Sequence, residues 1–411
     1  MKRRDFFDHL GLCALLYPLA TGCSPAARYP DSRQLVDTSQ SRAEYLAKLL
    51  EELCTGLGSH PIGSPELDQA ALIVKREMEL ALPVVELDRF TFDRWVLRSE
   101  PEFYLGDRRL ETYPGHGTSG TPEEGIAGVL EKIEDEGGIP YGVMDKASGE
   151  IKAYATLSRY GKAVPLPYYS FGKKVGSLPA FNVGLDDVPL LEQAAADRSP
   201  VRVKALVDFV PDTATGNVVG TLPGRSEEEI LYLAHLDTVY NSPGANDNTA
   251  SVIAMLMIAH AFSGKLPEKT LTFVATTGEE YDKLGAKNYA GIRKQQGSLD
   301  NIRFLVNLDS VTWGPNMKIS TADEELWRLI RDIDRELNLD GTPVRDERDG
   351  FKLDARPFRE TGARAVYVNS DGYELSHLWH RPEDTPETVP VDCVEIWFRL
   401  FYEFTRRIMA L

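Results

Sequence analysis

The chain has 411 residues, of which 42% are hydrophobic and 27% charged, and its formal net charge is −17. This composition is typical of a globular protein, long enough for one large α/β domain or for two to three smaller ones. Binding to nucleic-acid phosphates needs a basic stripe, and none is present, so the sequence argues against nucleic acid as a partner.

Residues 1–23 have the features of a bacterial export signal. A basic start precedes a mainly apolar run from Leu10 to Ala20, which is too short to span a membrane. Arg3-Arg4-x-Phe6-Phe7 resembles a twin-arginine signal, and Ala20-Thr21-Gly22-Cys23 resembles a lipoprotein box. We therefore predict an exported protein, periplasmic or anchored to the outer membrane by a lipid at Cys23, its only membrane contact. An ordinary cleaved signal and a membrane-anchoring start are the alternatives.

The rest of the chain divides by composition. Residues 24–41 are polar and predict a tether, residues 42–94 and 212–411 predict the main domain, and residues 95–211 predict an inserted subdomain. Cys54 and Cys393 would remain in the mature chain, where a disulfide and two buried free thiols are both compatible with the sequence.

The first elements of the main domain are two helices and a strand. Apolar residues recur at helical spacing from Ala43 to Cys54 and again from Pro65, and Val84–Phe92 is typical of a strand. The insert has short β-like pieces broken by Gly and Pro. Three successive segments faintly resemble a protease-associated domain: Leu178–Val183, the helical stretch Asp187–Ala196 and the alternating stretch Val201–Val210. A family-specific β-rich excursion is the alternative.

After Asn217 strands and helices alternate. Four apolar runs predict strands covered on both faces: Ile230–Ala234, Leu271–Thr276, Ile302–Leu308 and Ala363–Val368. Helices are expected at Asn248–Phe262, Lys283–Gln295, Asp323–Leu337 and Val391–Met409. This alternation predicts a three-layer α/β/α fold with a mixed, mainly parallel central sheet, plus the β-rich insert.

Chemically active side chains stand at the ends of these strands, where α/β sheets present ligand-binding loops. His235-x-Asp237 ends the first, Glu279-Glu280 follows the second, and Asp309 closes the third. Asp247 lies in a Gly/Asn-rich turn before a helix, and His380 in a loop before the last helix. Each alone could be structural, but together they predict a site for two metal ions.

The residue types suit metal-assisted hydrolysis. The two oxygens of Asp247 could bridge two cations, as two-metal sites require. The carboxylate of Asp237 could accept the second N–H of His235 and fix its tautomer. Of the adjacent pair Glu279 and Glu280, one could bind metal while the other takes a proton from water.

The motifs His235-x-Asp237, Gly244-Ala245-x-Asp247-Asn248, Gly278-Glu279-Glu280, Asn307-Leu308-Asp309 and His380-x-Pro382-x-Asp384-Thr385 resemble those of metallopeptidase family 28, the co-catalytic zinc aminopeptidases and carboxypeptidases. The resemblance covers the helices at 43–82 and residues 214–411, and excludes the insert. It implies two Zn²⁺ per chain, with Co²⁺ or Mn²⁺ as substitutes. His235 and Asp309 would hold one ion, Glu280 and His380 the other, and Asp247 both.

The resemblance also implies that Glu279 is the general base toward metal-activated water, that Asp237 orients His235, and that the Asp247-Asn248 peptide is cis. The expected activity is hydrolysis of a terminal bond in a peptide or small amide, by an aminopeptidase in preference to a carboxypeptidase. A glutaminyl cyclase-like transferase, suggested by Trp379, is the nearest alternative. A non-catalytic protein with the same fold is a further one. Leu353-Asp354-Ala355-Arg356 departs from the family pattern, and Arg356 or Arg359 could favour a substrate carboxylate.

Overall fold

The computed structural model describes residues 31–133, 140–166, 178–312, 317–370 and 376–411. The predicted signal at 1–23, its Cys23 and the first part of the predicted tether lie outside the described residues. The helices are α1 (Ser39–Leu50), α2 (Pro65–Ala81), α3 (Val188–Ala196), α4 (Ala250–Phe262), α5 (Leu284–Gln295), α6 (Glu324–Leu337) and α7 (Val391–Ile408).

The strands form two sheets. The first contains β1 (Val84–Leu97), β10 (Val207–Leu222), β11 (Ser226–His235), β12 (Lys269–Thr276), β13 (Ile302–Leu308), β14 (Met317–Ser320), β15 (Val344–Asp346) and β16 (Arg364–Ser370). The second contains β2 (Glu102–Leu105), β3 (Arg108–Leu110), β4 (Thr112–Pro114), β5 (Ile126–Lys132), β6 (Tyr141–Met144), β7 (Ile151–Leu157), β8 (Ala180–Val183) and β9 (Pro200–Lys204).

In the first sheet the strand order is β1-β10-β12-β11-β13-β16-β14-β15. Strands β12, β11, β13 and β16 run parallel to one another, whereas β1, β10 and β12 pair antiparallel. Because four central strands are parallel, their carboxyl ends meet at one edge of the sheet. That edge carries the predicted metal ligands.

Helices cover both faces of this sheet. Along β11, Tyr232 faces a core shared with α1, α2, α4, α6 and α7. Its neighbour Leu233 faces the opposite core, which α5 and the 3-10 helix Leu353–Thr361 cover. A strand buried on both faces reads as a continuous apolar run, which is why β11 is recognisable in the sequence. The predicted three-layer α/β/α fold with a mixed sheet is confirmed.

The second sheet is built from strands that lie within the predicted insert, in the order β3-β2-β9-β5-β6-β7-β8-β4. It has its own apolar core with α3. The expectation of one alternating stretch from Val201 to Val210 is wrong. The stretch is two strands, of which β9 pairs in the second sheet and β10 in the first. Burial alternates along β9, whereas the first residues of β10 are mostly exposed.

Folded structure begins earlier than the predicted start near Ser41. The main-chain N–H of Ser32 donates to Oγ of Ser263 at 3.0 Å, and Val36 is buried. The later part of the predicted tether therefore packs on the main domain. Cys54 and Cys393 are not joined by a disulfide bond. Within the described ranges, no helix combines the length and the apolar character that crossing a membrane requires.

Candidate metal centre

The central feature of the site is Asp247, whose two oxygens face two different imidazoles. Oδ1 lies 3.3 Å from Nε2 of His235, and Oδ2 lies 3.6 Å from Nε2 of His380. His235 Nε2 also lies 3.7 Å from Oδ1 of Asp309, and His380 Nε2 lies 3.0 Å from Oε1 of Glu280. The five predicted ligands thus form two pairs joined by one carboxylate. All five are buried.

The loop that carries Asp247 is fixed on both sides. The Asp247-Asn248 peptide is cis, as the resemblance implied. The Asn248 amide donates to the carbonyl of Leu308 and accepts from the N–H of Ser310, so it ties the loop to the end of β13 beside Asp309. On the other side, the carboxylate of Asp384 accepts from the N–H groups of Asn246 and Asp247.

Glu279 and Glu280 are held by a tight turn after β12. Gly278 has φ +79, and a Cβ at this position would lie 2.4 Å from Cδ1 of Ile62, so the turn favours glycine. The carboxylate of Asp237 accepts from the N–H groups of Gly278, Glu279 and Glu280 at 2.7, 3.1 and 3.3 Å.

This contact corrects the predicted role of Asp237. Its carboxylate lies 3.9 Å from Nδ1 of His235, beyond hydrogen-bond distance, while the main-chain carbonyl of Asp237 lies 3.0 Å from that nitrogen. The carbonyl therefore orients the imidazole. The carboxylate positions the turn instead, because three converging N–H groups offer it a better site than one imidazole.

His380 is oriented from the insert. Its Nδ1 lies 2.7 Å from the carbonyl oxygen of Pro165, so the imidazole donates to a main-chain atom that is remote in sequence. The neighbouring Arg381 donates to the carbonyl of Ala163 at 2.8 Å and pairs with Glu111 at 2.6 Å. The residues preceding α7 and those following β7 are thereby joined next to the site.

Burial and the charges of neighbouring side chains shift the pKa values of the cluster. Burial alone would lower the pKa of His235, but hydrogen bonds to Asp247 and Asp309 outweigh it and raise this pKa well above its ordinary value. The pKa of His380 is also raised, since Glu280 and Asp247 overcome the effect of burial. Burial and the charge of Glu280 raise the pKa of Glu279 well above its usual range.

The donor set fits divalent cations. Four carboxylates (Asp247, Glu279, Glu280 and Asp309) converge with two imidazoles in a buried space, and a cation between them would relieve the repulsion of their like charges. One potential ligand atom from each of His235, Asp247 and Glu280 lies within 4.8 Å of the others. Oε1 of Glu279 is buried without a hydrogen-bond partner. Imidazole and carboxylate are ligands that zinc accepts.

Several residues beside the site had no assigned role in the sequence prediction. The hydroxyl of Tyr367, on β16, donates to Oδ2 of Asp309 at 3.2 Å. Asp354 is buried and accepts from the hydroxyl of Thr276, and burial raises its pKa to about 6. Tyr367 follows the ordinary apolar pattern of a strand, and the carbonyl of Pro165 has no signature in sequence at all. Asp384 stands in a family motif, which is the one signal that could have found it.

Residues 217–405 match Peptidase family M28. The chain is 22% identical to aminopeptidase YwaD of Bacillus subtilis (strain 168), covering 91% of this chain and 86% of that protein. It is 21% identical to carboxypeptidase Q of Rattus norvegicus, covering 80% of this chain and 78% of that protein.

Solved structures give the same picture of the fold. A zinc aminopeptidase from Bacillus subtilis matches with a TM-score of 0.69 at 19% identity, covering 89% of this chain and 95% of that one. A glutaminyl cyclase from an Acidobacteriales bacterium matches with a TM-score of 0.53 at 14% identity, covering 95% and 99%. In both cases the covered share of this chain exceeds the share that the main domain alone makes up.

Proposed function

We propose that this chain, which contains a Peptidase family M28 domain over residues 217–405, is a two-zinc exopeptidase that removes residues from the amino end of peptides. The family and the enzyme class predicted from the sequence, a zinc-dependent metallopeptidase, are confirmed by that match and by the aminopeptidase relative. The proposal adds the number of metal ions, the end of the substrate and the roles of individual residues.

The observation that carries the proposal is the position of Asp247 between His235 and His380. One carboxylate whose two oxygens face separate ligand pairs is the arrangement that a pair of bridged cations needs. In the proposal, His235 and Asp309 hold one zinc ion, and Glu280 and His380 hold the other. Co²⁺ or Mn²⁺ could replace zinc, because imidazole and carboxylate ligands accept all three.

When bound, the two ions would polarise the scissile carbonyl and lower the pKa of water. Glu279 then acts as the proton carrier. Its carboxylate takes a proton from the attacking water, whose oxygen bonds to the carbonyl carbon, and gives that proton to the nitrogen as the C–N bond breaks. A buried carboxyl group with a raised pKa is suited to both steps.

The residues around Glu279 support this role. Asp237 holds the main-chain N–H groups of Glu279 and Glu280 together, so the base and the adjacent ligand are placed by one contact. Nζ of Lys283 lies 3.9 Å from Oε1 of Glu279, so a cationic group stands beside the proposed base.

The test combines metal analysis with one conservative substitution. We expect the purified protein to contain two zinc ions per chain, and Glu279→Gln to keep them while kcat falls roughly 10²- to 10⁴-fold. The exposed Glu360→Gln is the matched control and should change neither. A protein that binds no zinc tightly, or a Glu279→Gln variant that hydrolyses peptides normally, would contradict the proposal and favour a non-catalytic binding protein.

Two other reactions suit a similar site. Because the fold is similar to that of a glutaminyl cyclase, cyclisation of an amino-terminal glutamine is one alternative. Because the chain is similar to carboxypeptidase Q, cleavage at the carboxyl end of the peptide is the other. One peptide set read by mass spectrometry separates the three. Hydrolysis should survive amidation of the carboxyl terminus and stop on acetylation of the amino terminus. The reverse result supports a carboxypeptidase, and ammonia release without shortening supports a cyclase.

We also propose that the protein is exported and carries a lipid at Cys23. The support is the order of residues 1–23 alone. In bacterial cells the full chain should then fractionate with membranes, and Cys23→Ser should move it to the soluble periplasmic fraction. A wild-type chain found in the cytoplasm would contradict the proposal.

A further inference from the structure

We propose that the preferred substrates carry a carboxylate close to the bond that is cut, and that a basic pocket beside the metal centre binds it. This inference rests on the proposed peptidase function and adds the substrate class. The pocket has a volume of about 760 Å³. Its cationic lining residues are Lys318, Arg348, Lys352, Arg356 and Arg359, and its one acidic lining residue is Asp349.

The charge of the residues that line the pocket is opposite in sign to the net charge of the chain. Half of the ten lining residues are cationic in a protein whose formal net charge is −17. In the chain as a whole, 63 Asp and Glu residues outnumber 46 Lys and Arg residues. A concave basic surface therefore concentrates anions at this place.

The pocket adjoins the metal centre through Tyr367. The tyrosine lines the pocket, and its hydroxyl donates to Oδ2 of Asp309, one of the proposed zinc ligands, at 3.2 Å. Nζ of Lys352 lies 5.5 Å from the centre of the same ring. The ring of Tyr367 thus lies between Lys352, one of the lining cations, and the proposed zinc ligand Asp309.

Not all of the cations are equally available. Arg348 and Lys352 both pair with Asp346, and Arg359 pairs with Asp349 at 3.1 Å. Arg356 is exposed, and no ion pair or hydrogen bond of its guanidinium is found among the residues that the structure describes. Its planar fork of N–H groups matches the two oxygens of a carboxylate, so Arg356 is the residue that we assign to the ligand.

Arg356 is positioned by buried neighbours. It follows Asp354 and Ala355, both buried, in the 3-10 helix Leu353–Thr361. Asp354 accepts a hydrogen bond from Thr276 at the end of β12, which fixes this helix to the strand that precedes Glu279. The guanidinium therefore projects from a segment with a defined position relative to the catalytic carboxylate.

The carboxylate could belong to an acidic side chain or to the carboxyl terminus of a short peptide, and three matched peptides distinguish these sources. The first has an acidic side chain beside the scissile bond and an amidated carboxyl end. The second has neutral side chains and a free carboxyl end, and the third is neutral and amidated. We expect kcat/KM to be about tenfold higher for one or both carboxylates than for the neutral amide, because hydrogen bonds to charged groups are the strong ones.

Arg356→Gln should abolish that preference, so that kcat/KM for the carboxylate-bearing peptides falls to the value for the neutral amide. Arg328→Gln, an exposed substitution on α6 outside the pocket, is the control and should leave all three rates unchanged. A second measurement avoids turnover. On a Glu279→Gln background, calorimetry with the preferred peptide should show Kd rising about tenfold when Arg356→Gln is added.

Equal kcat/KM for the three peptides in the wild type would overturn the pocket inference and leave the proposed function intact. An equal loss on all three peptides in Arg356→Gln would do the same. If the two-zinc protein hydrolyses no peptide, the proposed function fails; calorimetry then decides the pocket separately, and equal Kd with and without Arg356→Gln would overturn it.

Discussion

His235 and His380 stand on the two sides of Asp247, but different parts of the molecule hold them. The His235 half, which consists of His235 and Asp309, follows two neighbouring parallel strands, β11 and β13. Its imidazole is oriented by a carbonyl two residues away, that of Asp237. The His380 half, which consists of His380 and Glu280, depends on the carbonyl of Pro165 in the insert.

The difference is that, among the described residues, the insert contacts one half of the candidate metal centre and not the other. A ligand at the end of a buried strand is positioned by the sheet itself. His380 lies in a loop, where no strand restrains it, and its φ is positive. Contacts from outside the loop then fix its orientation, and here these come from Pro165 and, through Arg381, from Ala163 and Glu111.

The largest effect is expected from a substitution of Asp247, which both halves of the site share. Asp247→Asn keeps the size of the side chain but removes the charge that both ion sites share. We expect the variant to lose both zinc ions and kcat/KM to fall roughly 10³-fold, since several kcal/mol of transition-state stabilisation depend on the metals. Metal analysis and peptide hydrolysis measure this, with the exposed Asp300→Asn as control. Retention of two zinc ions would show that Asp247 does not bridge.

The next effect separates the halves. His235→Ala and His380→Ala should each lower the zinc content from two ions to one, because each removes a ligand from only one side of Asp247. Metal analysis after dialysis gives the stoichiometry. Loss of both ions in either variant would mean that the two halves form a single cooperative site.

A smaller effect tests the contribution of the insert. Arg381→Gln breaks the pairing with Glu111 and weakens the link that holds Pro165 against His380. We expect zinc affinity to fall roughly 10- to 100-fold in the His380 half only, as for other contacts that orient metal ligands.

Zinc release to a chelator should then become clearly biphasic, with one fast and one unchanged phase. Glu111→Gln should give a similar result, and the double variant should be little worse than either single one, because both remove the same contact. Arg399→Gln, on α7 and away from the insert contacts, is the control. An equal acceleration of both phases would indicate general destabilisation.

The smallest expected effect concerns α4, a helix of the main domain. His260, on α4, is buried between Oγ of Ser32 and the hydroxyl of Tyr45, and burial lowers its pKa from 6.5 to about 4. The neutral ring is the folded form, so stability is full above pH 6.5, falls as pH falls from 6.5 to about 4, and is level below that. The expected loss is about 2 kcal/mol at pH 5.

Urea unfolding of the wild type and of His260→Gln at pH 5 and pH 7.5 measures this loss. The difference between the two proteins cancels the contribution of other titrating groups, and it should shrink at the lower pH. A difference that is independent of pH would show that His260 takes up its proton equally well in the folded and unfolded chains.

Much of the site could be predicted because its residues follow recognisable strands. Ile302–Leu308 has the bounds predicted from its apolar run, and Asp309 follows it directly. Contacts made by main-chain atoms could not be predicted. The carbonyls of Asp237 and Pro165 orient the two imidazoles, and a carbonyl is the same in every residue. The division of Val201–Val210 between two sheets was missed for a related reason, since alternation shows that a strand has two faces but not which partner it pairs with.

The sequence by itself determined the ligand types, the parallel central strands and the class of reaction, because residue chemistry and apolar periodicity are local properties. Only the tertiary structure decided how these parts meet. It placed Asp247 between two imidazoles, gave the carboxylate of Asp237 to the turn of Glu279 and Glu280, and brought Pro165 to His380 and the basic pocket to Tyr367. These contacts join residues far apart in the chain, so their formation depends on packing of whole elements and not on any local pattern.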